Sequence, residues 1–302
     1  METSAASVTS LLTTGVLLFL PPLLDSVERK VRAKIQSRIG PPTLLQTWYD
    51  LIKLCVKELK IPASGEPSIL LTSLSLIASI TALYLVMYSA ILLPSSLSPI
   101  TLASLLILIT ASHSLTLMAS ATTSNPFAVI GSYRSVFLAL LNEFGIISGS
   151  ILAIYTGFGL ATSYTLSNLV VYLLSLSILL VASYVGGGRL PFDIHEAEPE
   201  LASGVLIEFS GKLLALYIYV HLLTRYVLSL LVSVALITPF TSSSSILILL
   251  SATVATSLLL YVLYGVTAAL LGRTRVDIGI KSLLTYYAVV LIALVIFTWI
   301  RI

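Results

Sequence analysis

Long apolar runs, broken by short polar or Pro/Gly-bearing connections, repeat from one end of the chain to the other. Eight of them match or exceed the roughly 20 residues that a helix needs to cross about 30 Å of hydrocarbon: 6–27, 68–93, 100–120, 135–156, 166–185, 205–237, 246–271 and 281–301. Only helices and closed barrels satisfy their backbone hydrogen bonds inside lipid, and runs of this length predict helices. One segment departs from the pattern. Leu44, Leu45, Trp48, Leu51, Ile52, Cys55, Val56 and Leu59 recur at helical spacing, with Asp50, Lys53, Lys57 and Glu58 between them. That stripe predicts an amphipathic helix lying in the interface plane under the bundle. It serves either lipid-headgroup contact or the docking of a soluble partner. The expected fold is an all-α integral membrane protein of about eight transmembrane helices plus one cytoplasmic interfacial amphipathic helix. Residues 1–302 read as a single polytopic membrane domain, in which 28–66 is a docking loop and 186–212 an acidic coupling loop.

Composition sharpens this. Hydrophobic residues make up 57% of the chain and mean hydropathy is +1.06, which excludes an ordinary water-soluble domain. Charge sets the orientation. Pro94 and Pro99, Gly157 and Gly159, and Pro239 with Ser242–Ser245 mark connections that hold no Lys or Arg. The opposite loops hold fourteen of the sixteen basic residues: eight in 28–66, then Arg134, Arg189, Lys212, Arg273, Arg275 and Lys281. The positive-inside bias therefore predicts a cell-membrane protein with both termini outside and four polar loops in the cytoplasm. The first run lacks a basic n-region and leads into a basic loop, so it reads as a retained helix. The lone Cys55 excludes a disulfide framework and an iron–sulfur cluster held by this chain alone. His113, His195 and His221 show no metal-ligand spacing. No Gly-rich phosphate loop, nucleophile elbow or HExxH pattern is present, so the chain shows no catalytic centre of its own.

Against that background the polar residues stand out. Five of the thirteen acids, Asp193, Glu196, Glu198, Glu200 and Glu208, lie in 186–212 against only Arg189 and Lys212. Asp193, Glu196 and Glu200 fall at i, i+3 and i+7, so a helical turn would align them. Clustered carboxylates repel, and some then hold protons near neutral pH, which suits proton pick-up. The alternative is a solvated acidic loop. Gly186–Gly188 gives that loop freedom to move and lacks the spacing of a nucleotide site. Glu143 stands nine residues beyond Arg134, roughly 13 Å into the bilayer. An acid there costs a few kcal/mol, so it is either a proton carrier or a neutral partner in one helix–helix hydrogen bond. His221 and Arg225, at i and i+4, share a face and could serve a buried polar path. Equally, His221 is a packed polar residue and Arg225 a counter-charge to an acid elsewhere. His113 stays unassigned. The sixth run, at about 50 Å, is too long for roughly 30 Å of hydrocarbon. It either tilts or keeps its first turns, with Glu208 and Lys212 at i and i+4, outside the membrane.

These residues resemble a known family. Glu28-Arg-Lys30, Arg38-x-Gly-Pro41, Leu45-Gln46, Asp50, Lys53-Leu54 and Lys57-Glu58 resemble the first cytoplasmic loop of the H subunit of respiratory complex I, also called NADH dehydrogenase subunit 1. Gly131-Ser-x-Arg134 followed by Glu143 resembles that family's fourth helix. Arg189-x-Pro-Phe-Asp193, with Glu196, Glu198 and Glu200, then Glu208-Phe209, resembles its loop after the fifth helix. The departures point to a branch. Complex I members carry a Glu-Thr-Asn-Arg run where this chain has Gly186-Gly-Gly-Arg189, and the loop after Gly40-Pro41 is a few residues shorter here. Glu208-Phe-Ser-Gly211 resembles the Glu-Tyr-Ser-Gly form of energy-converting membrane-bound nickel–iron hydrogenases and sulfane reductases.

The resemblance implies a membrane-arm subunit that carries no redox centre. It would anchor a peripheral arm and couple electron transfer there to H⁺ or Na⁺ translocation. Iron–sulfur clusters and a nickel–iron centre are expected in partner subunits: a cluster-bearing small subunit, a large subunit and antiporter-like membrane subunits. Docking would use Arg29, Lys30, Arg38, Asp50, Lys53, Lys57, Arg134 and Arg189. The ion path would use Glu143, Asp193, Glu196, Glu198, Glu200, Glu208, Lys212, His221 and Arg225. Two rivals remain, a quinone-site subunit of a complex I-type oxidoreductase and a stand-alone ion transporter. The latter should show inverted repeats, and no clear internal duplication is visible.

Overall fold

The computed structural model describes residues 2–61, 66–92, 98–193, 204–241 and 246–300. All regular structure among them is helical. In chain order the helices are α1 (Glu2–Leu17), α2 (Leu20–Ile35), α3 (Gln46–Val56), α4 (Glu66–Leu92), α5 (Pro99–Ala121), α6 (Pro126–Thr162), α7 (Leu166–Gly186), α8 (Gly211–Ile237), α9 (Ile246–Leu270) and α10 (Val276–Ile300). Short 3₁₀ turns precede and follow α8, at Gly204–Leu206 and Thr238–Phe240. Among the described residues seven helices are long and apolar enough to cross a membrane. The bent pair α1–α2 makes an eighth crossing if counted as one span.

The first predicted span is therefore not one straight helix. It bends by 42° between Leu17 and Leu20, directly before Pro21 and Pro22. Consecutive prolines remove two donors and disfavour helical geometry in the residue before them. Leu18 O, which Pro22 cannot serve, accepts from Tyr219 Oη on α8 at 2.9 Å, and Trp48 Nε1 on α3 donates to Phe19 O at the bend at 3.2 Å. Beyond the bend, α2 continues to Ile35. Glu28 to Lys34 is thus helical, where the sequence placed the start of a loop.

α8 is the centre of the bundle. Its second half is apolar on all sides, the pattern of a helix surrounded by protein, and the helix packs against α2, α3, α4, α5, α6, α7 and α9. Tyr226, Leu230, Leu231, Val232 and Ala235 are completely or almost completely buried. Its serines stay soluble in this core by donating to their own helix, as Ser229 does to Tyr226 O and Ser233 to Leu230 O. α9 and α10 lie outside, α9 against α2 and α8, α10 against α6 and α7.

α8 begins at Gly211, later than the sixth predicted span. Gly211 has φ +55° and lies against the backbone of Glu58, so a side chain there would be both strained and blocked. Glu208 therefore precedes the helix, and it forms no helical i, i+4 pair with Lys212. The fourth span changes in the other direction. α6 runs 37 residues, about 55 Å. It starts at Pro126 behind Asn125, whose Oδ1 accepts from Phe127 N at 2.9 Å.

The four basic and acidic connections meet at one end of the bundle. Gly211 packs on Glu58. Asn125 Nδ2 donates to Glu208 Oε1 at 2.7 Å, and Thr274 Oγ1 to Pro191 O at 2.9 Å. The amphipathic helix α3 lies at this end, against α2 and α8. Its Thr47 and Leu51 are buried, while Tyr49, Ile52, Lys53 and Val56 face outward.

Candidate functional site

Three groups of polar side chains lie inside the bundle. The first is a closed ion cluster. Arg189 Nη2 lies 2.8 Å from Glu28 Oε2, and each residue is only 2% exposed. Arg32 Nη2 holds the other oxygen of Glu28 at 2.6 Å. The Arg189 guanidinium lies over the rings of Tyr261 (4.5 Å) and Tyr264 (5.4 Å) on α9, where ring faces favour a cation. Gly265 makes room for the carboxylate: a Cβ there would lie 2.7 Å from Glu28 Cδ. Charges this deeply buried persist only when paired on each side.

The second group lines a chamber between α2, the Gly204–Leu206 turn and α8. Asp25, Tyr217, His221 and Arg225 form its polar wall. Thr47 Oγ1, from α3, donates to Asp25 Oδ2 at 2.8 Å. Arg225 Nε donates to Gly187 O at 2.5 Å and Nη2 to Gly188 O at 3.1 Å. A cation thus caps the C-terminus of α7, where the helix dipole favours it.

The third group continues inward. A narrow cavity between α5, α6, α7 and α8 is lined by His113, Ser135, Asn142, Gly186, and again Tyr217 and His221. The last two therefore stand between the chambers. Asn142 is fully buried, accepts at Oδ1 from Tyr287 Oη at 3.2 Å, and its Nδ2 has no hydrogen-bond partner among the described residues. On the far side of His113, its Nδ1 lies 4.0 Å from Glu143 Oε1. Ser114 Oγ donates to the same Glu143 oxygen at 3.3 Å. Glu143 also edges a largely apolar groove between α5 and α6. Asp25 and His221 thus share one lining, His221 and His113 the next, and His113 approaches Glu143.

Of the remaining path residues, Asp193 is largely buried with Arg273 Nη2 at 3.7 Å, and Lys212 is exposed. Glu196, Glu198 and Glu200 lie outside the described residues. Of the docking residues, Lys30, Arg38, Lys53 and Lys57 are exposed, Arg134 is half-buried, and Arg29 pairs with Asp50 at 3.2 Å on the surface. Arg189, expected among the docking residues, is buried in the Glu28 cluster and 2% exposed. Gly186 differs from its reading as a source of loop freedom: it ends α7 and packs close against Asn142, and a Cβ would lie 2.8 Å from Nδ2. The first glycine of the triplet is there for contact, and only Gly188, at φ +56°, uses glycine's conformational freedom. Reading the sequence missed Asp25, Asn142, Tyr217 and the approach of His113 to Glu143. The available signal was a lone polar group in each of two neighbouring spans.

Fold and site together define a multi-pass membrane protein with clusters of polar side chains inside its helix bundle. The chain belongs to the NADH dehydrogenase family, whose model matches residues 8–299. It is 34% identical to NADH-ubiquinone oxidoreductase chain 1 of Branchiostoma lanceolatum over 242 residues, 73% of this chain and 76% of that one. It is 30% identical to hydrogenase-4 component C of Escherichia coli (strain K12) over 276 residues, 86% of each chain. A chain in the structure of the membrane-bound sulfane sulfur reductase, an archaeal respiratory membrane complex, shares the fold with TM-score 0.73 and 20% identity over 99% of both chains.

Proposed function

We propose that this chain is the membrane-arm subunit of a hydrogenase- or sulfane-reductase-type respiratory complex, where it anchors the peripheral redox arm and couples electron transfer to H⁺ or Na⁺ movement. The observation that carries this reading is the pair of chambers that share His221 and Tyr217 and lead past His113 to Glu143. One end of the track lies beneath the docking helix α3, and the other reaches an acid deep in a spanning helix. Asp193, Glu196, Glu198, Glu200, Glu208 and Lys212 would exchange ions with the cytoplasm at the acidic loop, and Arg225 would set the field along the path. Exposed Lys30, Arg38, Lys53 and Lys57, with the Arg29–Asp50 pair and Arg134, would receive the arm. Both termini would lie outside the cell membrane, with the polar end in the cytoplasm. The chain would act as one membrane domain and hold no redox group, leaving iron–sulfur and nickel–iron centres to a small and a large partner subunit beside antiporter-like membrane subunits.

The close packing of Gly186 on Asn142 favours this branch over quinone-reducing relatives, because an acid at 186 would displace the Asn142 amide. The test is purification in mild detergent with identification of the co-purifying chains. A cluster-bearing small subunit and a hydrogenase-like large subunit are expected. Arg38→Glu combined with Lys53→Glu should release them while this chain stays in the membrane, since attraction becomes repulsion. An arm still bound to that double variant would remove the docking surface from the scheme.

A further inference from the structure

Asp25 lies where the docking helix, the bent first span and the central helix meet. Its carboxylate lines the chamber whose other polar walls are Tyr217, His221 and Arg225. We infer that Asp25 is the carboxylate at which protons enter the track from the α3 end, and that Thr47 positions it. This deepens the reading of the chain as an ion-coupling subunit and rests on it. In the step itself, a hydrated proton in the chamber gives its proton to an Asp25 oxygen and leaves water. Asp25 then passes that proton towards the His221 ring and returns to the carboxylate.

The surroundings fit a group that is neither locked nor excluded. From α8 the Arg225 guanidinium acts on it, and His221 and Tyr217 line the same chamber. From its own helix the Arg29 cation and the Glu28 anion act on it in opposite senses, and from α9 Tyr261 lies within its field. From α3 comes a hydrogen bond given by Thr47 Oγ1 at 2.8 Å, the one Asp25 accepts among the described residues. Both charged neighbours that could clamp it are engaged elsewhere. Arg225 caps the Gly187 and Gly188 carbonyls, and Arg29 holds Asp50 at 3.2 Å. A carboxylate with one neutral donor and an open chamber in front of it can exchange protons. Glu28, one helical turn away, is gripped by two arginines and cannot do so on the same terms.

Thr47 gives the device its sensitivity. The same hydroxyl accepts from Ser26 Oγ at 2.9 Å and lies 3.4 Å from Arg29 Nη1, while Thr47 N donates to Ser26 Oγ at 3.0 Å. A shift of α3 on docking or redox change of the arm would therefore alter the hydrogen bond on Asp25 directly. The coupling has a physical link between two elements and requires no action at a distance.

The test uses the whole complex, reconstituted in proteoliposomes. Asp25→Asn should keep the arm bound while H⁺ translocation falls roughly tenfold or more, the scale of a lost proton-transfer group. Asp25→Glu should restore most of it. Thr47→Val should leave the carboxylate in place yet displace the pH at which translocation is half-maximal. Infrared difference spectra should show a protonated-carboxyl band that titrates in the wild type and is missing in Asp25→Asn. Normal translocation by Asp25→Asn, with Glu143→Gln inactive, overturns the role of Asp25 and leaves the wider reading standing. Normal translocation by both overturns the wider reading as well. Should Asp25→Asn fail to assemble, an unchanged pH profile in Thr47→Val overturns the inference.

Discussion

Glu28 and Glu143 are both carboxylates enclosed by the same helix bundle, yet their surroundings differ in kind. Glu28 is 2% exposed and accepts from Arg189 at 2.8 Å and Arg32 at 2.6 Å, with Gly265 left bare to admit it. Glu143 is 19% exposed, and its described neighbours are the Ser114 hydroxyl and His113 at 4.0 Å. It lies beside an open groove instead of a pair of guanidinium groups. The first arrangement fixes a charge and joins α2, the segment after α7, and α9. The second places a carboxyl beside a hydroxyl, an imidazole and a groove, with no guanidinium among its described neighbours. Burial of an acid in a membrane bundle thus says little about function until its counter-ions are counted.

The strongest way to test that difference is to strand Glu28. Arg189→Met removes its deepest partner and leaves a buried charge half compensated, which costs about 3–5 kcal/mol when a buried pair is broken. The variant should reach the membrane in greatly reduced amount and unfold early in detergent. Adding Glu28→Met should recover much of the loss, because two apolar side chains of similar volume can replace a buried pair. Wild-type thermal stability in Arg189→Met alone would mean that the cluster holds nothing together.

Glu143→Gln addresses the other side. It keeps the shape and the hydrogen-bonding capacity and removes only the exchangeable proton. Stability should change by less than about 1 kcal/mol, since no ion pair is broken. H⁺ or Na⁺ translocation in proteoliposomes should fall roughly tenfold or more. Translocation at the wild-type rate would make Glu143 a structural hydrogen-bond partner, the alternative already visible in the sequence.

That contrast was only partly legible before the fold was known. Run lengths and the placement of Lys and Arg reveal the helical class, the amphipathic segment and the grouping of four polar loops, because these depend on local composition. Glu143 is legible for the same reason, as an isolated acid in an apolar run. Glu28 and Asp25 were read as the end of a span and the start of a basic loop. Their burial depends on α2 continuing as a helix and on Arg189 arriving 161 positions later. Arg189 was expected at the docking surface from the family resemblance, in a polar loop between two apolar runs. Its neighbours in space are Tyr261, Tyr264 and Glu28. Pairing between distant segments leaves no periodic trace, and so the closed cluster and the shared wall of the two chambers emerged only with the fold.

The smallest expected effect falls on Ser114. Its hydroxyl also donates to Thr110 O at 2.9 Å, so the bond to Glu143 at 3.3 Å is a shared and long one. Ser114→Ala removes a contribution of about 0.5–1.5 kcal/mol at most, and less if water enters the groove and replaces the donor. Stability should therefore stay within about 1 kcal/mol of wild type. Translocation should change by no more than a few fold, because 1.4 kcal/mol corresponds to about a factor of ten. This variant separates two accounts of Glu143. If the carboxyl works by exchanging a proton, a lost neutral donor alters the rate slightly and leaves the function in place. If instead Glu143 matters through its hydrogen bond to α5, Ser114→Ala should reproduce the whole defect of Glu143→Gln. Equal losses in the two variants, measured in the same proteoliposomes, would erase the distinction between a fixed and an exchangeable carboxylate.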